Sequence, residues 1–441
     1  MHSRRSAFRW LLAKEWRELV ASRAWWIFLL LIGPLVGVSF IDAVQTYAEA
    51  SGLHGTSVGV GEAFSPLIGI WAPTFSACEL AAAFLLPFVA IALVSGDRRS
   101  GALKLELQHP MPAAARISAK ALVLLFGWTI ATLAPLAGVV LWISYGGSLY
   151  PPELASVILG HVLNAGLTVG LAAAAASLTE HPSTAAIVTL GVTVGTWILN
   201  FVAAVHGGVW EQAAGYTPTA MVAEFQHGLV RLDVLLIVIV FIGALLALAS
   251  VWIRLGVPVR RRTQESLLVG AVTVVLALAC TRATPSWDLS ESRRNSFAAA
   301  DEEALKEIRA PLRVEAHLAP QDPRRSDLEQ HALSKLRRIM PDVRVQYVSA
   351  TSIGLFEQTA PQYGEIWYDL GGRKTMTRAT TTEGMLEAIY EISGVTPRAV
   401  SDEEIFRGHP LAVPPRGAAL VFYGMWPVLV TSVYLVSRRL S

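Results

Sequence analysis

Eight long apolar runs constrain this chain more than any other feature of its sequence. A membrane-spanning helix needs about 20 predominantly apolar residues, because each residue rises 1.5 Å and the hydrocarbon core is about 30 Å thick. Charged residues make up only 16% of the chain and hydrophobic residues 53%, whereas soluble domains average about 25% charged residues. The runs predict eight membrane spans at 24–41, 76–94, 121–143, 155–178, 184–205, 234–253, 267–281 and 417–436.

Lysine and arginine are distributed unevenly between the two sides of the membrane. Seventeen of them fall in the two terminal segments and the loops on the same side, while Arg231 stands alone in the three short loops opposite. Positive charge accumulates in cytoplasmic segments. We therefore expect both termini to be cytoplasmic and the long segment between the seventh and eighth spans to be extracytoplasmic.

This long segment, residues 283–415, has a different composition, with charged residues more than twice as frequent as in the rest of the chain. Alternating patterns and a Gly371-Gly372 turn predict strands, and two stretches with a helical period predict helices. We expect a small extracytoplasmic α/β domain. The predicted strands are 312–318, 343–348, 365–370 and 374–377, and the predicted helices are 327–339 and 383–392.

The amino-terminal lead, residues 1–23, carries apolar residues at helical spacing. Phe8, Leu12, Trp16 and Leu19 fall on one face, and basic residues fill the other. This pattern predicts an amphipathic helix that lies in the membrane interface. A simple membrane anchor would show the same periodicity.

The loop between the second and third spans is the other marked feature of the cytoplasmic side. It mixes charged residues with leucines and a Pro-Met-Pro stop, so it could offer a polar face to a cytoplasmic partner. A solvated loop that only sets topology is an equal alternative. The residues considered for a coupling role are Asp97, Arg98, Arg99, Gly101, Leu103, Lys104, Arg116 and Lys120.

Small residues four apart recur within the spans. Three GxxxG pairs, Gly33 with Gly37, Gly166 with Gly170 and Gly191 with Gly195, allow helix backbones to approach closely. They predict helix packing in a compact bundle, but the motif is common and identifies no function.

Polar side chains within the apolar runs are the candidates for a membrane-embedded lining. Such groups are costly in lipid and are often functional. Glu79, Asn164 and Asn200 are the predicted lining residues. Glu79 lies near the end of its span, where solvation is the alternative.

Residues that could act in catalysis or bind a metal do not occur in the patterns that an enzyme or a metal site needs. The sequence has no Gly-Lys dipeptide, hence no Walker A loop, and neither a His-Glu-x-x-His nor a Cys-x-x-Cys motif. The histidines show no spacing that would build a metal site. We expect no catalytic residue and no metal in this chain.

The cytoplasmic features together resemble the permease subunits of type-2 ABC transporters. The resemblance rests on an amphipathic helix before the first span, on Asp97 and Gly101-Ala102-Leu103 after the second, and on a proline and the basic Arg116 and Lys120 before the third. The usual family form has Glu for Asp97 and Thr for Ala102. Residues 224–233, Glu-Phe-Gln-His-Gly-Leu-Val-Arg-Leu-Asp, are similar to the gliding-motility and copper-enzyme-maturation branch.

The second half resembles the auxiliary subunit encoded beside such permeases. The similar stretches are 287–297, the strand from Leu312, and 382–389. The family usually has a longer region before its last span, so this domain is a shortened one. The resemblance implies a fusion with five parts: an interfacial helix (1–23), a six-helix permease core (24–255), a linker with the seventh span (256–282), the α/β domain (283–415), and the eighth span with its tail (416–441).

The resemblance implies a function and partners. An ABC ATPase subunit, which would carry ATP and Mg, would bind beneath the loop and the lead, and two permease protomers would pair in a bacterial inner membrane. The chain itself would bind no cofactor and no nucleic acid. Two hypotheses follow: a permease that exports a substrate, or a mechanotransmitter that works a periplasmic partner without moving a solute. A membrane-embedded enzyme is a weaker third hypothesis, because the sequence offers no nucleophile, base or metal cluster for it.

Overall fold

The computed structural model describes residues 2–50, 66–101, 111–147, 149–206, 209–215, 217–291, 293–319, 322–340, 342–348, 361–395 and 413–440. Within them it contains eight helices long and apolar enough to cross a membrane. This confirms the predicted polytopic α-helical fold. In chain order, spans 1 to 8 are Arg23–Glu49, Leu67–Asp97, Ala113–Ser144, Pro151–Leu178, Pro182–Ala203, Leu232–Trp252, Val259–Cys280 and Leu420–Arg439.

A helix of 20 residues, His2–Ala21, precedes span 1, and we call it the lead helix. The contacts divide the chain into two compact units, one of residues 1–197, 217–291 and 406–441, and one of residues 198–216 and 292–405. Each unit is described separately below.

Proline interrupts two of the spans. Span 2 divides at Leu85 into helices Ala72–Phe84 and Leu86–Ser100, and span 3 divides at Thr132 into helices Ala113–Ala131 and Leu133–Ser144. Pro87 and Pro135 lie just after these breaks. A proline within a helix removes one backbone donor and its ring clashes with the preceding turn, so both breaks follow from the sequence.

Large aromatic side chains fill the core of the first unit. Trp71, Trp128 and Trp142 are fully buried, and Trp71 makes an edge contact with Trp142, with ring centroids 6.3 Å apart. Phe40 of span 1 lies 5.8 Å from Trp71 and 5.9 Å from Phe422 by the same measure. Spans 1, 2, 3 and 8 therefore share one aromatic core.

Span 8 packs on span 1 at the first glycine pair. Gly33 and Gly37 face the rings of Trp426 and Phe422, which occupy the space that a Cβ would need. Trp426 donates its indole N–H to the carbonyl oxygen of Leu29 at 2.7 Å. The missing side chains thus allow two aromatic residues to lie against the backbone of span 1.

The other two glycine pairs have different surroundings. A Cβ on Gly166 or Gly170 would meet Ile242 and Leu245 of span 6. Around Gly191 and Gly195 of span 5, by contrast, nothing in the described part of the chain lies within 4 Å of the place where a Cβ would stand. Within one protomer, span 5 therefore presents its glycine pair outward.

This difference gives a testable prediction. Gly33→Ala should lower the free energy of unfolding by about 1–3 kcal/mol, because the added methyl group overpacks the contact with Trp426. Gly270→Ala in span 7 is the matched control: it has the same gain in helix propensity, no described neighbour lies within 4 Å of the added Cβ, and we expect a change within about 0.5 kcal/mol. Thermal unfolding of the two purified variants in detergent checks this, and equal melting temperatures would contradict it.

The second unit contains a four-stranded sheet in the order β4-β3-β5-β6. Leu312 of β3 pairs in parallel with Val343 of β4 and in antiparallel with Leu370 of β5. Gly371 and Gly372 have positive φ angles of 60° and 93°, which the tight turn from β5 into β6 requires. The strands are β3 (Leu312–Ala316), β4 (Val343–Tyr347), β5 (Ile366–Leu370) and β6 (Arg373–Thr377).

Helices cover one face of this sheet. Helix Thr382–Ser393 buries Met385 and Ile389 in a core shared with the strands, and the stretch from Pro323 to Ile339 is helical with a π-helical turn at Leu328–Leu333. Helix Ala299–Glu307 joins them through Asp301, which accepts a 2.7 Å hydrogen bond from the hydroxyl of Tyr390. The predicted mixed α/β fold of this segment is confirmed.

A two-stranded ribbon belongs to the first unit. β1 (Leu229–Arg231) precedes span 6 and pairs antiparallel with β2 (Ser286–Asp288), which follows span 7. At its base Gly228 adopts a φ of +85° and approaches Ser290. The structure also describes helices Val209–Gly215 and Pro218–Gln226, and π-helical turns Leu67–Trp71 and Leu420–Met425 at the starts of spans 2 and 8.

Candidate functional site

Four charged side chains meet where the lead helix crosses the ends of spans 2 and 3. We call Lys14, Glu15, Asp97 and Lys120 the charge cluster. The lead helix supplies Lys14 and Glu15, the last turns of span 2 supply Asp97, and the first turns of span 3 supply Lys120. Three separate elements therefore contribute to one site.

Lys120 lies at the centre of the charge cluster. Its Nζ is 2.6 Å from Glu15 Oε2, 2.6 Å from Asp97 Oδ2 and 3.1 Å from the carbonyl oxygen of Leu93. Lys14 Nζ contacts the other oxygens of the same two carboxylates, at 3.2 Å from Glu15 Oε1 and 3.1 Å from Asp97 Oδ1. Two ammonium groups thus contact the same two carboxylates.

The inner pairs of the cluster are buried. The side chains of Glu15, Asp97 and Lys120 are 0%, 4% and 2% exposed, whereas Lys14 is 32% exposed. Burial raises the pKa of Glu15 above its ordinary value, although the ammonium of Lys120 acts in the opposite direction. Removing one partner from such a buried pair leaves an uncompensated charge, which is strongly destabilising.

A third carboxylate comes close to the cluster. One oxygen each from Glu15, Glu18 and Asp97 lie within 4.8 Å of one another, a spacing that could hold a cation. The Nζ of Lys120 already lies between Glu15 and Asp97, at 2.6 Å from each. In this arrangement a lysine ammonium supplies the positive charge that the carboxylates require.

The ion pair between Asp97 and Lys120 closes the base of the predicted coupling loop. Asp97 ends span 2 and Lys120 lies near the start of span 3, so the pair holds these two spans together on either side of the segment that connects them. Glu15 attaches the same point to the lead helix. A force applied to the loop would therefore reach three helices at once.

The other residues predicted for coupling have different positions. Arg98 and Arg99 are in the last turn of helix Leu86–Ser100, and Gly101 follows it with a φ of +76°. Arg116 is buried on span 3. Leu103 and Lys104 fall outside the described residues.

The lead helix packs on the first unit through its apolar face. Leu19 is fully buried, and Phe8, Leu12 and Trp16 are partly buried. Trp16 makes an edge contact with Phe126 of span 3, with ring centroids 5.3 Å apart. This face therefore contacts the protein over part of its length.

Sequence reasoning missed Glu15, although a signal was available. Glu15 lies four residues after Leu11 and four before Leu19, so it falls within the apolar stripe of the lead helix. A carboxylate in that position needs a cationic partner when the stripe is buried. The sequence alone could not show that the partner is Lys120, 105 residues further along the chain.

A cavity of about 210 Å³ lies among spans 2, 4, 5 and 6. Glu79 and Asn164 line it with three threonines, Thr168, Thr193 and Thr196, against an apolar wall that includes Trp197 and Phe241. Asn200 is not among the described residues that line it. Two of the three predicted lining residues therefore meet at one cavity.

Glu79 is held in place by the stretch that precedes span 6. Gln226 donates a hydrogen bond from its side-chain amide to Glu79 Oε2 at 3.1 Å. In the same stretch Arg231 pairs with Glu224 at 3.0 Å and with Asp233 at 2.7 Å. Residues 224–233 thus form a turn beside the cavity that these ion pairs hold together. We call it the clamped turn.

Comparison with protein families matches about half of the chain. Residues 9–218 match the family model described as "ABC-2 family transporter protein". No curated protein matches the chain. The matched segment includes most of the lead helix, the charge cluster and spans 1 to 5, and it is similar to the permease domain of ABC-2 transporters, typically a non-catalytic membrane subunit that works with an ATPase.

Proposed function

We propose that this chain is the membrane-spanning permease subunit of an ABC exporter, driven by a separate ATPase subunit. The observation that carries the proposal is the charge cluster within the matched segment, because it joins the lead helix to both ends of the predicted coupling loop. A permease needs such a rigid contact to pass the movement of an ATPase into its helices.

The proposed orientation follows from the arginine and lysine distribution. Both termini and the coupling loop would face the cytoplasm of a bacterium, and the α/β domain would lie outside the inner membrane. The charge cluster would then lie at the cytoplasmic surface, where an ATPase can reach it. ATP and Mg would be bound by that partner and not by this chain.

Coupling would proceed as a rigid-body movement. Nucleotide-driven closure of the ATPase would push on the loop after Asp97, and the Asp97–Lys120 and Glu15–Lys120 pairs would pass the push to the lead helix and spans 2 and 3. Packed helices respond to such a push by discrete shifts. Two permease protomers, identical or different, would move against each other, and the outward-facing Gly191 and Gly195 are available for that contact.

The finer family assignment is also a proposal. The clamped turn at residues 224–233 supports the gliding-motility and copper-enzyme-maturation branch. The α/β domain between spans 7 and 8 supports a fused and shortened auxiliary subunit, which would engage a periplasmic protein.

The cavity lined by Glu79 favours export over the alternative, a mechanotransmitter that moves no solute. A chain that only transmits force needs no polar groups around an open volume in its membrane part. In the cavity Glu79, Asn164 and three threonines provide hydrogen-bonding groups on an apolar wall, a combination typical of ligand sites.

Purification from native membranes in mild detergent tests the proposal. We expect a stoichiometric subunit with a Walker A motif to co-purify and to hydrolyse ATP. A chain that purifies alone after crosslinking, with no ATPase activity, would contradict both the exporter and the mechanotransmitter.

Two further variants separate these two functions. Thr193→Trp should fill the cavity. A host that carries this variant should show the same phenotype as a host that lacks the chain, although the ATPase still binds. Deletion of residues 293–405, which keeps β2, should leave export measurable. The mechanotransmitter predicts the reverse: the deletion gives the phenotype of a host that lacks the chain, and the filled cavity has no effect.

A further inference from the structure

A second cavity, of about 360 Å³, lies between spans 1 and 8 and opens to the surface of the first unit. Its walls are Arg23, Trp26, Ile27 and Leu30 of span 1, and Val430, Thr431 and Tyr434 of span 8. We call this the span 1–8 groove. It is distinct from the cavity at Glu79 and from the charge cluster.

The groove is polar at one end and apolar at the other. Arg23 begins span 1, and Arg438 ends span 8 with its guanidinium 5.3 Å from the ring centroid of Tyr434. Both arginines therefore stand at the same membrane surface. One or two helical turns deeper, Ile27, Leu30 and Val430 form an apolar floor.

Aromatic residues mark the boundary between the two ends. Trp26 and Tyr434 lie with ring centroids 5.6 Å apart, and Trp26 is anchored by a 2.6 Å hydrogen bond from its indole N–H to the carbonyl oxygen of Val20. Tryptophan and tyrosine favour the headgroup level of a membrane. The groove thus has its charged end at the headgroups and its apolar end in the hydrocarbon.

We propose that the span 1–8 groove binds one anionic phospholipid. The phosphate would lie between Arg23 and Arg438, and an acyl chain would extend along Ile27, Leu30 and Val430. Arginine recognises phosphate oxygens through paired N–H donors, and basic pockets between membrane helices bind anionic headgroups. The groove faces the bilayer, so a membrane lipid can enter it sideways.

A lipid in this groove would bridge the first and last spans. Apart from the groove, those spans are joined by Phe422 and Trp426 against Gly33 and Gly37. The lipid would extend that contact to the membrane surface near the end of the lead helix. Anionic lipid is therefore expected to stabilise the docking of span 8 as well as to bind.

Native mass spectrometry of the full-length chain tests the assignment. The probes are phosphatidylglycerol and phosphatidylcholine with identical acyl chains, titrated into detergent-purified protein. We expect the wild type to bind the first phosphatidylglycerol at least about tenfold more tightly than phosphatidylcholine. Arg23→Gln with Arg438→Gln should remove that preference, since the two arginines supply the positive charge that attracts an anionic headgroup.

Arg260→Gln with Arg439→Gln is the matched control. Both residues are exposed at the ends of spans 7 and 8, both lie outside the groove walls, and the charge change is the same. The control should keep the preference. If it loses as much as the groove variant, or if the wild type binds the two lipids equally, the assignment is wrong.

A third variant separates a lipid from a free phosphate compound. Thr431→Trp should fill the apolar part of the groove and weaken both lipids while keeping both arginines. Glycerol phosphate at millimolar concentration should not displace phosphatidylglycerol from the wild type. If this soluble headgroup displaces the lipid and Thr431→Trp has no effect, the groove binds a soluble anion and not a lipid.

Discussion

Replacing Lys120 with methionine should lower the free energy of unfolding of the membrane unit by about 3–5 kcal/mol, the largest stability effect we expect in this chain. The substitution removes the ammonium that lies 2.6 Å from both Glu15 and Asp97 and leaves two buried carboxylates beside each other. Breaking a buried ion pair by removing one partner typically costs this much. The measurement is thermal unfolding in detergent, followed by the loss of the monodisperse peak.

Lys14→Met is the control for this prediction. Lys14 contacts the same carboxylates, but it is 32% exposed, and an ion pair that water reaches contributes about 0–1 kcal/mol. The effect should therefore be several times smaller. Similar melting temperatures for the two variants would show that Lys120 does not hold the cluster together.

A charge-neutral triple variant separates electrostatics from packing. Glu15→Gln and Asp97→Asn in the Lys120→Met background remove the two carboxylate charges without much change in volume. We expect most of the lost stability to return, because an uncharged set of this shape carries no uncompensated charge. If the triple variant is as unstable as Lys120→Met, the loss comes from the packing of the lysine side chain.

The membrane spans could be predicted from the sequence because lipid leaves the backbone few options. Every N–H and C=O group in the hydrocarbon core must be satisfied within the segment, so a long apolar run specifies a helix. The α/β domain was equally readable. Its buried and exposed positions alternate along β3, from Leu312 to Ala316, and the glycine pair at 371 and 372 determines the turn that sets the register of β5 and β6.

What the sequence could not show depends on contacts between distant residues. The docking of span 8 on span 1 needs Phe422 and Trp426 to meet Gly33 and Gly37, and the pairing of β1 with β2 needs two short strands on either side of spans 6 and 7 to meet. The GxxxG pattern is the same for Gly33 and Gly195, yet among the described residues a neighbour faces Gly33 and none lies within 4 Å of the Cβ position at Gly195. A local pattern such as GxxxG allows close helix packing, but the neighbouring helices determine whether that packing occurs.

The charge cluster illustrates the same limit at the candidate site. The sequence places Asp97 and Lys120 among the candidates for coupling, but their direct pairing depends on the approach of spans 2 and 3. Glu15 joins them only because the lead helix crosses both spans. The loop residues predicted from the sequence are therefore connected to the bundle through a carboxylate that the sequence did not single out.

Reversing the charges of Arg98 and Arg99 to glutamate should abolish the stimulation of the ATPase partner while leaving the membrane unit folded. Arg98 and Arg99 directly follow Asp97, whose ion pair with Lys120 holds the end of span 2. They therefore lie where a partner would contact the loop. Charge reversal at an interface weakens binding by about 2–5 kcal/mol when close ion pairs are lost. We expect co-purified ATPase and its hydrolysis rate to fall by at least about tenfold.

The control reverses the same number of charges elsewhere on the same membrane face, with Arg260→Glu and Arg439→Glu. If coupling requires the loop itself, this variant keeps its ATPase, whereas a general requirement for positive surface charge would make the two variants equal. Unchanged coupling in the Arg98 and Arg99 variant would remove the loop from the mechanism. Its melting temperature should match that of the wild type, because the Asp97–Lys120 pair is unchanged. A loss of co-purified ATPase with an intact fold would then locate the defect in the contact with the ATPase and not in assembly of the bundle.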